Sequence, residues 1–130
     1  KIMAKPFDWI EVSTTKRSNL LNNIPEDATV ELIVMADVVW LPDLADPLFG
    51  SLRCLFQELE RMQTSNPRPR CFMSYKLRSN HTHRIMEEAI ASHGFELRDI
   101  TDDKLKFLDE YDTIKMFDYK LYEIIHLAQQ

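Results

Sequence analysis

Apolar positions along the chain change period several times, and each change marks an element. Residues 7–12, with Phe7, Trp9, Ile10 and Val12, read as a short strand. Residues 13–28 are polar and carry Asn22, Asn23 and Pro25. They read as a loop, with a short helical turn over Leu20 and Leu21. Residues 30–36 are apolar except for Glu31, which predicts a strand buried on both faces. Asp37 ends that run. Pro42 then biases Leu41 away from the helical region. Across residues 43–62, Leu44, Leu48, Leu52, Leu55, Leu59 and Met62 make one apolar stripe at helical spacing. Asp43 is the expected N-cap. Pro67 and Pro69 prevent any continuation.

Residues 71–75 form the next expected strand. A second helix is expected over residues 81–93, with Ile85, Met86, Ala89 and Ile90 turned inward. Ser79 or Asn80 can cap it, and Gly94 suits a left-handed terminator. Residues 95–100 read as a strand, 102–111 as a helical connector and 115–127 as a last strand. The first two crossovers are helical, which implies parallel neighbours. The last two strands have no long crossover and are expected to pair antiparallel. The whole reads as one α/β domain over residues 1–130.

Composition narrows the possible partners. A net charge of -5 gives no electrostatic footprint for nucleic acid or for an anionic membrane surface. Arg68, Arg70, Lys76 and Arg78 form a basic stretch, but a local one. No apolar run reaches the roughly 20 residues of a membrane span, and residues 1–7 do not resemble a signal peptide. Cys54 and Cys71 lie in apolar stretches, as buried thiols of a reducing compartment do. Cytoplasm is the expected location, with the nucleus as an alternative. Gly50 and Gly94 are the only glycines, so the chain carries no glycine-rich phosphate loop. Either it is part of a longer domain, or it binds no nucleotide-like ligand by that route. His81 and His83 lack the further ligands a zinc site needs, so no metal is expected.

One combination is specific. A buried strand ends in Ala36-Asp37-Val38-Val39-Trp40. An amphipathic helix follows, then a strand ending Ser74-Tyr75-Lys76-Leu77-Arg78. This resembles protein methyltransferase family 16, the seven-strand lysine methyltransferases. That family carries an Asp-x-x-aromatic motif at the end of its fourth strand; here Trp40 stands where Tyr is usual. Phe7-Asp8-Trp9 matches the Leu-Asp-Trp that precedes that strand in the family. The resemblance implies a Rossmann-like class I methyltransferase sheet with helices on its faces and a terminal antiparallel strand pair. It covers only the C-terminal half of the family's domain. The glycine-rich cofactor motif would then lie upstream of Lys1.

The resemblance further implies S-adenosylmethionine as cofactor and a protein side chain, lysine Nε first, as acceptor. It places Trp9 against the adenine and Ala36 where the backbone approaches the cofactor. Asp37 would hold the acceptor amine, and Trp40 would wall the acceptor channel. Tyr75 would line the same strand-end cleft as a substrate contact. Each has a plainer alternative: Trp9, Trp40 and Tyr75 as packing residues, and Asp37 as a turn cap. The chemistry asks little of side chains. The acceptor amine, with a free pKa near ~10.4, must be neutral, and a dry channel beside a cation favours that form. Two other functions stay open: a non-catalytic, partner-binding module and a small-molecule methyltransferase. The half alone is expected to be a poor folding unit with an apolar open edge at residues 30–36, to bind cofactor weakly, to aggregate and to be inactive.

Overall fold

In a computed structural model, residues 4–16, 21–22, 24–25, 27–63 and 68–127 of the chain are described. The expected loop at 13–28 and the Pro67 stop fall partly outside them. Five helices and four strands are described: α1 (Trp9–Thr15), β1 (Leu32–Ala36), α2 (Ala45–Met62), β2 (Arg70–Lys76), α3 (Asn80–Ser92), β3 (Phe95–Asp99), α4 (Thr101–Leu105), α5 (Tyr111–Met116) and β4 (Tyr119–His126).

The first element corrects the expectation of a strand at 7–12. Asp8 has extended backbone, and its carboxylate accepts the N–H groups of Ile10 and Glu11 at 3.0 and 3.1 Å. Two orphan N–H groups of a helix start are thereby satisfied, and Glu11 adds favourable charge in the first turn. Trp9 and Val12, three apart, face inward, while Ile10 stays exposed. α1 crosses α2 closely at Gly50, where an added Cβ would stand 2.5 Å from Ser13 Oγ.

α2 buries Leu48, Leu52, Leu55 and Leu59 as its stripe requires, while Met62 in the last turn is exposed. Its start corrects the Asp43 cap. Pro42 opens a short 3₁₀ turn over Pro42–Leu44, and the N-cap position falls on Leu44 without a side-chain bond. At the other end, Gln63 Oε1 accepts Val30 N–H at 2.8 Å, which ties α2 to the approach of β1. α3 starts as expected: Ser79 Oγ accepts Thr82 N–H at 3.0 Å. It stops at Gly94, whose φ of +80° is the conformation glycine adopts without steric cost.

The sheet has the order β1-β2-β4-β3. β1 and β2 are parallel, and β4 is antiparallel to both β2 and β3. The reversed final pair is as expected, but β2 and β3 are not neighbours, because β4 inserts between them. β4 carries apolar residues on both faces, with Tyr122 and Ile124 on one and Leu121 and Ile125 on the other. β3 alternates with Glu96 and Arg98 and suits an outer position. The crossovers β1-α2-β2 and β2-α3-β3 step across the sheet in the same direction. Right-handed connections therefore put α2 and α3 on the same face. His93 Nε2 lies 2.8 Å from Asp46 Oδ1 and joins the end of α3 to the start of α2.

The core fills the space between these helices and the sheet, around Phe49, Phe56, Cys71, Met73, Met86 and Ile124. Both cysteines are free and buried, and burial pushes the Cys71 thiol up to about 12. β1 departs from the expectation of burial on both faces. Met35 points into the core, but Leu32 and Val34 are 54% and 67% exposed on the opposite face. β1 is the outer strand on its side of the sheet, so an apolar edge and an apolar face are open there.

Candidate functional site

Parallel strands bring their carboxyl ends to one rim, and of the residues singled out above Ala36 and Asp37 stand at it. Ala36, the last residue of β1, is exposed and lies opposite Ser74 of β2. Asp37 then turns the chain away with a φ of +49°. Asp tolerates this left-handed conformation better than most residues. Its N–H donates to Ser74 O at 2.9 Å, so the turn is anchored to the sheet.

The Asp37 carboxylate points outward and meets Arg78, two residues beyond the end of β2. Arg78 Nη1 donates to Oδ1 at 2.7 Å, and Nη2 to Oδ2 at 2.6 Å. This two-pronged geometry orients both planar groups. The Arg78 hydrogen bonds and charge hold the Asp37 carboxyl below the usual carboxylate range, against a smaller opposing effect of burial. Asp37 is therefore ionised at neutral pH. The pair is partly open to solvent, with side-chain exposures of 38% for Arg78 and 47% for Asp37.

β4 enters the sheet at the same rim. Asp118, with φ +56°, accepts Leu77 N–H at 3.1 Å through its carbonyl. Tyr119 lies opposite Lys76, and the Lys76 ammonium sits 5.4 Å from the centre of its ring.

The aromatic residues divide. Trp40 is 54% exposed just after the buried Val39, so its ring is not absorbed by the following helix. Tyr75 points to the helix-covered face and is 1% exposed, packed beside His83 and Tyr122 with ring centres 5.8 and 6.0 Å away. Burial raises its phenol, and the Asp37 and Glu87 charges add to this while Arg78 opposes it. Its hydroxyl has no hydrogen-bond partner among the described residues. Tyr75 is thus a core residue here, and its ring does not line an open cleft. Trp9 is half-buried against the main core from α1.

No family model matches the chain. Nor does any curated protein match it. Its site is therefore defined by its own geometry.

The rim thus brings Ala36, Asp37 and Trp40 together through the chain itself. It adds Arg78, which the sequence shows only as one member of a local basic stretch. The signal for Arg78 was its place after a strand parallel to the one Asp37 ends, but only the register turns that into a contact. Among the described residues, no group of three His, Cys, Asp or Glu side chains could hold a metal ion. No described helix is long and apolar enough to cross a membrane.

Proposed function

We propose that this chain is the C-terminal half of a seven-strand, S-adenosylmethionine-dependent methyltransferase domain acting on a protein lysine Nε. The observation that carries the reading is Asp37. It is an ionised carboxylate on a left-handed turn at the carboxyl end of a parallel strand, where open α/β sheets bind ligands. The reversed final strand pair agrees with the same fold. So do the uncovered Leu32 and Val34, which fit a sheet continued by further strands and helices.

The residues present fit the acceptor side of such a site better than the cofactor side. Trp40 offers an exposed aromatic face for the acceptor side chain to pack against, while on the cofactor side only Ala36 is small and open. Trp9 packs into the core, so its ring is not freely offered to an adenine. The cofactor, when bound, supplies an electrophilic methyl group. The chain's part is positioning: Asp37 accepts a hydrogen bond from the incoming amine and aims its lone pair, while Arg78 fixes the carboxylate's orientation.

The same uncovered β1 edge favours a second reading, a non-catalytic module that works by association. The deciding experiment incubates the natural polypeptide with methyl-labelled S-adenosylmethionine and cell lysate. Label on protein lysine supports the first reading. Label confined to small molecules removes the lysine assignment, and no transfer at all favours the second.

A further inference from the structure

A second feature of the same rim is the connector between β3 and β4, residues 100–118. Its root is firmly built. Thr101 is buried; its hydroxyl donates to Asp99 Oδ1 at 2.6 Å and accepts Leu121 N–H at 3.0 Å. Ile100 N–H donates to Leu121 O at 3.0 Å. Tyr111 closes the connector on itself by donating its hydroxyl proton to Asp102.

This framework leaves large apolar side chains outside. Phe107 is 80% exposed and Met116 68%, with Leu108 and Phe117 each at 49%. Scattered single hydrophobic residues need no explanation, but four on one short, anchored connector do. The charges around them are unequal. Six exposed acids (Asp102, Asp103, Asp109, Glu110, Asp112 and Asp118) face three lysines. Two of those lysines lie over the connector's own rings: Lys106 is 5.2 Å from the centre of Phe107, and Lys115 is 5.8 Å from that of Tyr111. The connector thus exposes four large apolar side chains along a segment that carries twice as many acids as lysines. Asp118 and Tyr119 carry it directly to Leu77 and Lys76, beside Asp37 and Arg78.

We infer that this connector is a docking surface for a basic polypeptide segment bearing apolar side chains, the protein substrate of the reaction proposed above. The inference rests on that reading for what the segment is used for, but not for its binding. Apolar anchors give affinity, and the excess of acids selects a lysine- or arginine-rich partner and steers its approach. An anionic membrane would be repelled by the same acids.

The test is fluorescence anisotropy on the natural polypeptide with three labelled 15-residue peptides. One combines Lys with Phe and Leu, the second replaces Lys by Glu, and the third replaces the apolar residues by Ser. The first should bind at least tenfold tighter than the other two, and more weakly as salt rises. Phe107→Ser with Phe117→Ser should weaken it at least tenfold with circular dichroism and melting temperature unchanged. Asp109→Lys with Glu110→Lys, which leaves the apolar groups in place, should also weaken it. Equal binding of the acidic peptide, no binding of any peptide, undiminished binding by both double variants, or stronger sedimentation with phosphatidylserine vesicles would each overturn the inference. Peptide binding without methyl transfer would sink the catalytic reading and leave the docking surface standing. Transfer to protein unaffected by both double variants would do the reverse.

Discussion

β1 and β2 lie side by side, run in the same direction and both derive from apolar runs, yet they live in different surroundings. β2 has a strand on each side and turns Cys71, Met73 and Tyr75 into the helix-covered core, each at most 1% exposed. β1 has a neighbour on one side, buries Met35 and leaves Leu32 and Val34 open. Hydrophobicity of a strand thus states what its surroundings should be, and at β1 they are not all supplied by the described residues. Position in the sheet decides the rest. At the rim, the end of β2 supplies the Arg78 clamp and the end of β1 supplies the Asp37 carboxylate it grips.

The largest effect should come from the covered side. Phe56 is 1% exposed and packs edge-on against Phe95 at 5.6 Å. Phe56→Ala should cost about 3–5 kcal/mol in chemical denaturation, enough to unfold a marginal domain. A cost below about 1 kcal/mol would mean that the β2 side is no better packed than the β1 side. Next comes the seating of α3 on that face. Ser79→Ala removes the helix cap and should cost about 1 kcal/mol, whereas Ser79→Asp should restore most of it.

Arg78→Gln cuts the tie between the two strand ends. The pair is open to solvent, so the stability loss at neutral pH should stay within about 1 kcal/mol. Its pH dependence is more informative. Asp37 has a lowered pKa when folded, so the stabilisation is complete above the ordinary carboxylate range and fades as pH falls through the lowered value. The variant should lose that acid-side dependence, and the Asp37 carboxyl carbon should titrate at higher pH by NMR. An unchanged titration would show that the clamp is absent in solution. The smallest effect is expected on the bare side. In the 130-residue chain by itself, Leu32→Ser with Val34→Ser should change stability by no more than about 0.5 kcal/mol per site and should reduce self-association in sedimentation. A large loss of stability would mean that these residues are covered after all.

Much of this fold was legible because its strongest signals are local. The leucine stripe of α2, the Ser79 cap and the Gly94 stop each depend on residues within a few positions of one another. α1 was misread because Trp9, Ile10 and Val12 suggested a strand, although Asp8 followed by Glu11 is a helix-start pattern. The insertion of β4 between β2 and β3 depends on non-local pairing, which two helical crossovers do not reveal. At the rim, the apolar run that stops at Asp37 already put this residue at a strand end. Its grip by Arg78 needed the β1–β2 register, and the burial of Tyr75 needed the facing of β2.

The central claim concerns one carboxylate, and one rate comparison tests it. Methyl transfer from labelled S-adenosylmethionine to protein is measured for the natural polypeptide, for Asp37→Asn and for Arg78→Gln, at equal folded fraction. If Asp37 receives the acceptor amine, Asp37→Asn should slow transfer at least about a hundredfold. Arg78→Gln, which leaves the carboxylate in place, should slow it much less. Equal rates for Asp37→Asn and the unaltered protein would contradict the account.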